Sequence, residues 1–196
     1  PHFLFNSLQA ISELVHVDPH RADRAIVAMG ELLRHGLSNG NRALLTFEEE
    51  LSLLEAYVGI ERIRLGAGLQ LVTRIPDALL RLGVPNSLLQ PIVENAIHHG
   101  LRGRAAGRIE VTASRAGNSL EIRVDDDGAG LSPEPRRAGN GLRITASRLE
   151  KLFGAEAGVE LLPRPGGGTS ARLWWPALRV VPGAPEPLAA APAERP

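Results

Sequence analysis

The chain has 196 residues, 43% hydrophobic and 22% charged, enough to build a real core in one large domain or two small ones. Its 22 Lys and Arg balance 22 Asp and Glu, so the basic excess of a nucleic-acid binder is missing, and the lack of cysteine excludes disulfides and thiolate zinc sites. No apolar run reaches the roughly 18–20 residues that span a bilayer. The opening Pro1-His2-Phe3 has neither an initiator Met nor the basic start of a secretion signal, so the chain reads as a C-terminal piece of a longer protein.

Helical periodicity comes first. Leu4, Leu8, Ile11 and Val15 form one apolar stripe over residues 1–16, and His2, Asn6, Gln9 and Glu13 repeat at the same spacing on the opposite, polar side. Asp18-Pro19 ends this helix and starts another, with Asp as N-cap and Pro in the first turn. Ala22, Ala25, Ile26, Met29, Leu32 and Leu33 give the second pattern, stopped by Gly36 and Ser38-Asn39-Gly40-Asn41. Thr46 with Glu49 is a capping box that opens a third helix running to about Arg64, with Leu51, Leu54 and Val58 inward. Such stripes need partners, so residues 1–66 are expected to form a helical bundle or a dimer.

Residues 67–178 change pattern. Leu69–Ile75 alternates as a strand, and Pro85–His99 reads as a helix. Arg108–Ser114 and Ser119–Val124 read as strands joined at Gly117-Asn118. Leu142–Phe153 reads as a helix stopped by Gly154, and Val159–Leu162 and Ser170–Trp175 as the last strands. This order predicts an α+β fold whose second part is an α/β sandwich, a mixed and mostly antiparallel sheet covered by helices. Residues 179–196, rich in Pro and Ala, are expected to be a disordered tail.

Four segments carry chemistry. In Asp125-Asp126-Asp127-Gly128-Ala129-Gly130 a strand ends in carboxylates and opens into a glycine loop. A carboxylate there, read as Asp127, can accept a hydrogen bond from adenine's exocyclic amine and would repel guanine's carbonyl, while Gly128 and Gly130 let the backbone approach the base. A plain Asp-Gly turn fits the same residues. In Leu89–Gly100, Glu94, Asn95 and His98 fall near one helix face, and the Asn95 amide oxygen is a hard ligand suited to Mg²⁺ between phosphates. Adjacent His98 and His99 point about 100° apart, which makes them a poor zinc pair. Gly139-Asn140-Gly141-Leu142 opens a helix whose N–H groups suit phosphate, and residues 131–138 before it read equally as a lid or as an ordinary surface loop. Gly166-Gly167-Gly168-Thr169 precedes the last strand and is equally a tight turn.

In this order the four segments resemble the boxes of the Bergerat ATP-binding fold shared by histidine kinases, gyrase and related ATPases. Pro1-His2-Phe3-Leu4-Phe5-Asn6-Ser7-Leu8 resembles the phosphoacceptor box of LytS-type sensor histidine kinases, with further matches at Leu33-Arg34-His35, Glu48-Glu49-Glu50-Leu51, Tyr57–Glu61, Arg64, Leu89-Gln90-Pro91 and Arg148-Leu149. The resemblance covers residues 1–176. It implies that His2 is phosphorylated, that Asn95 binds Mg²⁺, that His98 contacts phosphate and that Asp127 binds adenine. It implies too that Gly128, Gly130, Gly139, Gly141, Leu142 and Thr169 shape the pocket and its lid. Where such kinases often carry a lid Asn, this chain has Ile144.

The expected function is Mg²⁺- and ATP-dependent phosphorylation of His2, followed by transfer to an aspartate of a response regulator, LytTR-type by the resemblance. Neutral His2 has a free lone pair for in-line attack, Glu94 could orient it, and Asn6 one turn on could position a water or the acceptor aspartate. A homodimer and an upstream membrane sensor are the further partners implied, which would make this a cytoplasmic portion of a membrane protein. Two alternatives stay open: an ATPase of the gyrase kind, and an ATP-sensing scaffold without catalysis. Those ATPases place a general-base Glu four residues before the Mg²⁺-binding Asn, and here Pro91 occupies that position.

Overall fold

The computed structural model describes residues 2–39, 42–65, 68–101, 104, 106–131 and 140–178. Pro1, Gly139, the expected lid beyond Leu131 and the tail lie outside these residues, as do the side chains of His2 and Asn6. Two helices, α1 (His2–Val17) and α2 (Pro19–Asn39), form a hairpin around Asp18. Asp18 caps α2 as expected, its Oδ1 accepting the Arg21 N–H at 2.9 Å. Helix α2 runs through Gly36 to Asn39. A short strand β1 (Leu44–Thr46) then leads into α3 (Phe47–Leu65). The capping box is reciprocal: Glu49 N–H donates to Thr46 Oγ1 at 3.2 Å and Thr46 N–H to Glu49 Oε2 at 2.7 Å.

The rest is an α/β sandwich. Five strands, β2 (Leu69–Arg74), β4 (Gly107–Ala116), β5 (Ser119–Asp126), β6 (Gly158–Pro163) and β7 (Thr169–Pro176), make a sheet of order β2-β4-β5-β7-β6. The β2–β4 pair is parallel and the other pairs are antiparallel. The β4–β5 hairpin turns at Gly117-Asn118, where Gly117 takes the left-handed φ of 59° that the two-residue turn requires. A further short strand, β3 (Gly83–Pro85), pairs with β1. Helix α4 (Gln90–Asn95) therefore begins later than Pro85, because residues 83–85 are taken by that pairing. Helix α5 (Asn140–Phe153) ends at Gly154, φ 61°, as expected.

One apolar cluster runs from Ile11, Ala22, Ala25 and Met29 through α3 to Ile109, Ile122, Leu173 and Trp175. Leu54 and Val58 are inward as expected, and Phe47, Tyr57 and Ile60 join them. The α1 and α2 stripes are only half used. Ile11 is buried, but Leu8, Val15, Ile26 and Leu33 are exposed. The two helices cover each other and α3 along one seam, and the described residues leave the rest of each stripe uncovered.

Candidate nucleotide site

The strand β5 alternates: Leu120, Ile122, Val124 and Asp126 face the buried side. The carboxylate buried at the root of the glycine loop is thus Asp126, at 5% exposure, rather than Asp127. Its Oδ1 accepts the Gly128 N–H at 2.8 Å and the Thr169 N–H at 3.3 Å. Burial pushes the Asp126 carboxyl above its usual range, against the lowering effect of those N–H donors, and the neighbouring Asp127 charge adds to the rise. Asp127 is spent elsewhere. Its Oδ1 accepts the Arg108 N–H at 2.9 Å and lies 3.7 Å from the Arg104 guanidinium, half-exposed.

Three glycines close on Asp126. A Cβ on Gly100 would stand 2.7 Å from Asp126 Oδ1, and one on Gly168 would run into the Asp126 carbonyl oxygen. One on Gly128 would collide with the Gly100 carbonyl. Gly168 also has φ 93°, open only to glycine at low cost. The Gly100 carbonyl accepts the Ala129 N–H at 3.0 Å. The end of the Asn95 helix, the glycine loop and the Gly-Thr turn are therefore one packed unit. Sequence reasoning gave Gly128 and Thr169 a role at the site, and quoted Gly100 and Gly168 within their segments without one.

Helix α4 does not simply stop at Asn95. Ala96–Gly100 widens into a π-type turn, a feature frequent at functional sites. Glu94, Asn95 and His98 are half-buried, and His99 is exposed. Pro91 lies in the first turn of α4, where its missing N–H costs nothing, and its carbonyl is 3.1 Å from where a Cβ on Gly141 would sit. Gly141 thus allows α5 to approach α4 closely. Leu142 packs on the core and Ile144 is exposed. Gly130, φ 79°, turns the loop beside Gly168.

A second buried carboxylate holds α4 from below. Glu50 of α3, 1% exposed, accepts the Ser87 N–H at Oε2 and the Leu89 N–H at Oε1, both at 2.9 Å. Burial pushes its carboxyl up to about 7 in spite of these bonds and the nearby Arg148. Sequence patterning gave no sign of it beyond its place in Glu48-Glu49-Glu50-Leu51.

Among the described residues no cluster of His, Asp and Glu is arranged to hold a metal by itself, and no helix is long and apolar enough to cross a membrane. A single amide such as Asn95 would need phosphate oxygens to complete a Mg²⁺ shell.

Residues 1–69 match the family model described as histidine kinase, and residues 85–179 match the histidine kinase-, DNA gyrase B- and HSP90-like ATPase model. The chain is 32% identical to the sensor histidine kinase BtsS of Escherichia coli K12 over 89% of its own length and 32% of that protein's. It is 28% identical to the sensor protein LytS of Staphylococcus epidermidis over 86% of its length and 31% of that protein's. The chain therefore spans about a third of the length of these relatives. The histidine kinase domain of the blue-light activated kinase of Erythrobacter litoralis superposes with a TM-score of 0.53 at 19% identity, over 84% of this chain and 80% of that one. The Acinetobacter baumannii histidine kinase AdeS gives 0.53 at 15% identity, over 88% and 92%. With its two family regions in sequence order and that fold beneath them, the chain belongs to the histidine kinase family, beside the LytS-type sensor kinases.

Proposed function

We propose that this chain is the catalytic portion of a two-component sensor, which binds ATP at a site rooted at Asp126 and moves the γ-phosphoryl group to His2. The observation that carries the reading is the buried Asp126 carboxylate. It is held by two backbone N–H groups and packed about by Gly100, Gly128 and Gly168, where no Cβ would fit. The adenine role first read at Asp127 therefore moves to Asp126, because Asp127 is engaged by Arg108 and Arg104. The remaining Asp126 oxygen accepts the adenine amine, and Gly128 and Gly130 lie against the ring. Asn95 holds Mg²⁺, which neutralises phosphate charge when bound, and His98 donates to a phosphate. Gly139 and Gly141, with Leu142 behind them, carry the phosphates at the start of α5.

In the reaction the His2 nitrogen lone pair forms the N–P bond while the bond to the bridging oxygen breaks and ADP leaves. Glu94 orients the imidazole, and Asn6 serves the return reaction toward the acceptor aspartate. The partners are a response regulator, LytTR-type by the resemblance, and a second copy of the chain. The second copy would cover Leu8, Val15, Ile26 and Leu33, apolar and exposed on α1 and α2. Pro91 offers no base to activate water, which favours phosphotransfer over hydrolysis.

The test uses γ-labelled ATP with Mg²⁺. An acid-labile, base-stable label lost in His2→Gln supports the kinase. Free phosphate without labelling identifies an ATPase, and nucleotide binding with neither identifies a scaffold.

A further inference from the structure

We propose that Glu50 is a positioning residue for the Mg²⁺-phosphate half of the site: it clamps the N-terminal turn of α4 to α3 and so fixes where Asn95 stands. The inference rests on the preceding reading of Asn95. Its own ground is the loop that precedes α4.

The first N–H groups of a helix have no partners inside it and are usually met by a side chain at the N-cap. Here the N-cap is Leu89, which has no acceptor to offer. Glu50, from a different helix, instead ties the N-cap residue and the turn before it, one oxygen on Ser87 N–H and the other on Leu89 N–H. Ser87 is held at φ 54°, the one non-glycine with a left-handed backbone among the described residues. That conformation turns both N–H groups onto the same carboxylate. The loop is tied from other sides as well. Asn86 Nδ2 donates to the Arg42 carbonyl at 3.1 Å and Asn86 N–H to the Ala43 carbonyl at 3.0 Å, both in the connection between α2 and α3. The Arg148 guanidinium of α5 donates to the Asn86 carbonyl. Elements on either side of the nucleotide pocket therefore meet at residues 86–89, and Glu50 is the fully buried member.

Asn95 lies six residues beyond Leu89 on the helix so anchored. Asp126 sits on β5 and takes its hydrogen bonds from Gly128 and Thr169 instead. Gly100, at the far end of the same helical segment, packs on Asp126, so loosening the clamp acts chiefly on the Mg²⁺-dependent part of nucleotide affinity and less on the adenine part. A loss of general stability would weaken both.

The experiment measures ATP affinity by calorimetry with Mg²⁺ and with EDTA, for the wild type, Glu50→Gln and Arg148→Met. The Gln amide keeps one acceptor and sets an N–H₂ against the other N–H. In Glu50→Gln the gain in affinity on adding Mg²⁺ is expected to shrink at least fivefold, while the affinity in EDTA stays within twofold. Arg148→Met, which removes the tether on the Asn86 carbonyl and leaves both Glu50 hydrogen bonds in place, shifts the same ratio in the same direction and serves if Glu50→Gln does not fold. An unchanged Mg²⁺ gain in either folded variant overturns the proposal, as does an equal loss in Mg²⁺ and in EDTA. A wild type without any Mg²⁺ gain overturns the reading of Asn95 itself.

Discussion

Asp126→Asn tests the nucleotide site most directly. The substitution is nearly isosteric, and its amide oxygen can still accept from Gly128 and Thr169, which use Oδ1 alone among the carboxylate oxygens. The second oxygen becomes an N–H₂ facing the adenine amine, donor against donor. A hydrogen bond to a charged group contributes about 1.5–3 kcal/mol. Its loss corresponds to a roughly 10- to 150-fold rise in Kd. Asp127→Asn serves as the control and should change Kd by less than about threefold, since its amide oxygen still meets the Arg108 N–H and a half-exposed charge adds little. Titration calorimetry with ATP and with inosine triphosphate reads both effects. The amide introduced by Asp126→Asn can donate to the 6-oxo group of hypoxanthine, so the preference for ATP should narrow or reverse. Acid adds a second signature. The carboxylate is the binding form and its pKa is raised by burial, so wild-type affinity falls on mild acidification, and Asp126→Asn lacks that fall. Unchanged ATP affinity in Asp126→Asn, with a loss in Asp127→Asn, would refute the assignment.

Gly100→Ala would bring a methyl to 2.7 Å from Asp126 Oδ1 and 2.9 Å from Cγ, displacing the carboxylate. Overpacking of this kind costs about 1–3 kcal/mol in stability, and ATP affinity should fall at least about tenfold, measured by melting and calorimetry on the same sample. Glu50 has a carboxyl near 7 in the fold against 4.5 when free, so the folded state holds its proton more tightly. Its contribution is fullest below pH 4.5 and is lost as pH rises through 7. The loss amounts to about 3 kcal/mol at roughly 1.4 kcal/mol per unit. Denaturant melts across that range should show the slope in the wild type and a flatter one in Glu50→Gln. Thr46→Ala removes one arm of the capping box and should cost about 1 kcal/mol by the same melts. Ile26→Glu places charge on the exposed stripe of α2 and should shift the chain toward monomer in analytical ultracentrifugation with little change in melting.

Elements set by local pattern were legible. The helix starts at Pro19 and Phe47, the Gly117-Asn118 hairpin and the Gly154 stop follow from capping and turn chemistry at single residues. The pairing of Leu44–Thr46 with Gly83–Pro85 was not legible, since each strand is three residues long and the partner is far along the chain. The exposed half of the α1 and α2 stripes was not legible either, because periodicity marks a stripe apolar without saying how much of it one chain covers. At the loop, strand alternation already showed which carboxylate is buried. Leu120, Ile122 and Val124 fix the inward parity, and Asp126 continues it, whereas the position next to the glycines drew attention to Asp127. The contact of Gly100 and Gly168 with Asp126 was hidden because it is made across long stretches of chain.

The burial of α3 bears on how such a protein can be cut. The change of pattern at residue 67 invites a fragment that starts there. That fragment would strip Phe47, Leu54, Tyr57 and Val58 from the shared core, at about 1.5–3 kcal/mol for each large side chain. It would also leave β3 without β1 and Leu89 without Glu50. The smallest piece that keeps these contacts therefore begins ahead of Leu44, inside the region matched to the histidine kinase family model. A recombination event that exchanged the helical region between relatives at residue 67 would mismatch these contacts, whereas one placed just before Arg42 would carry them intact.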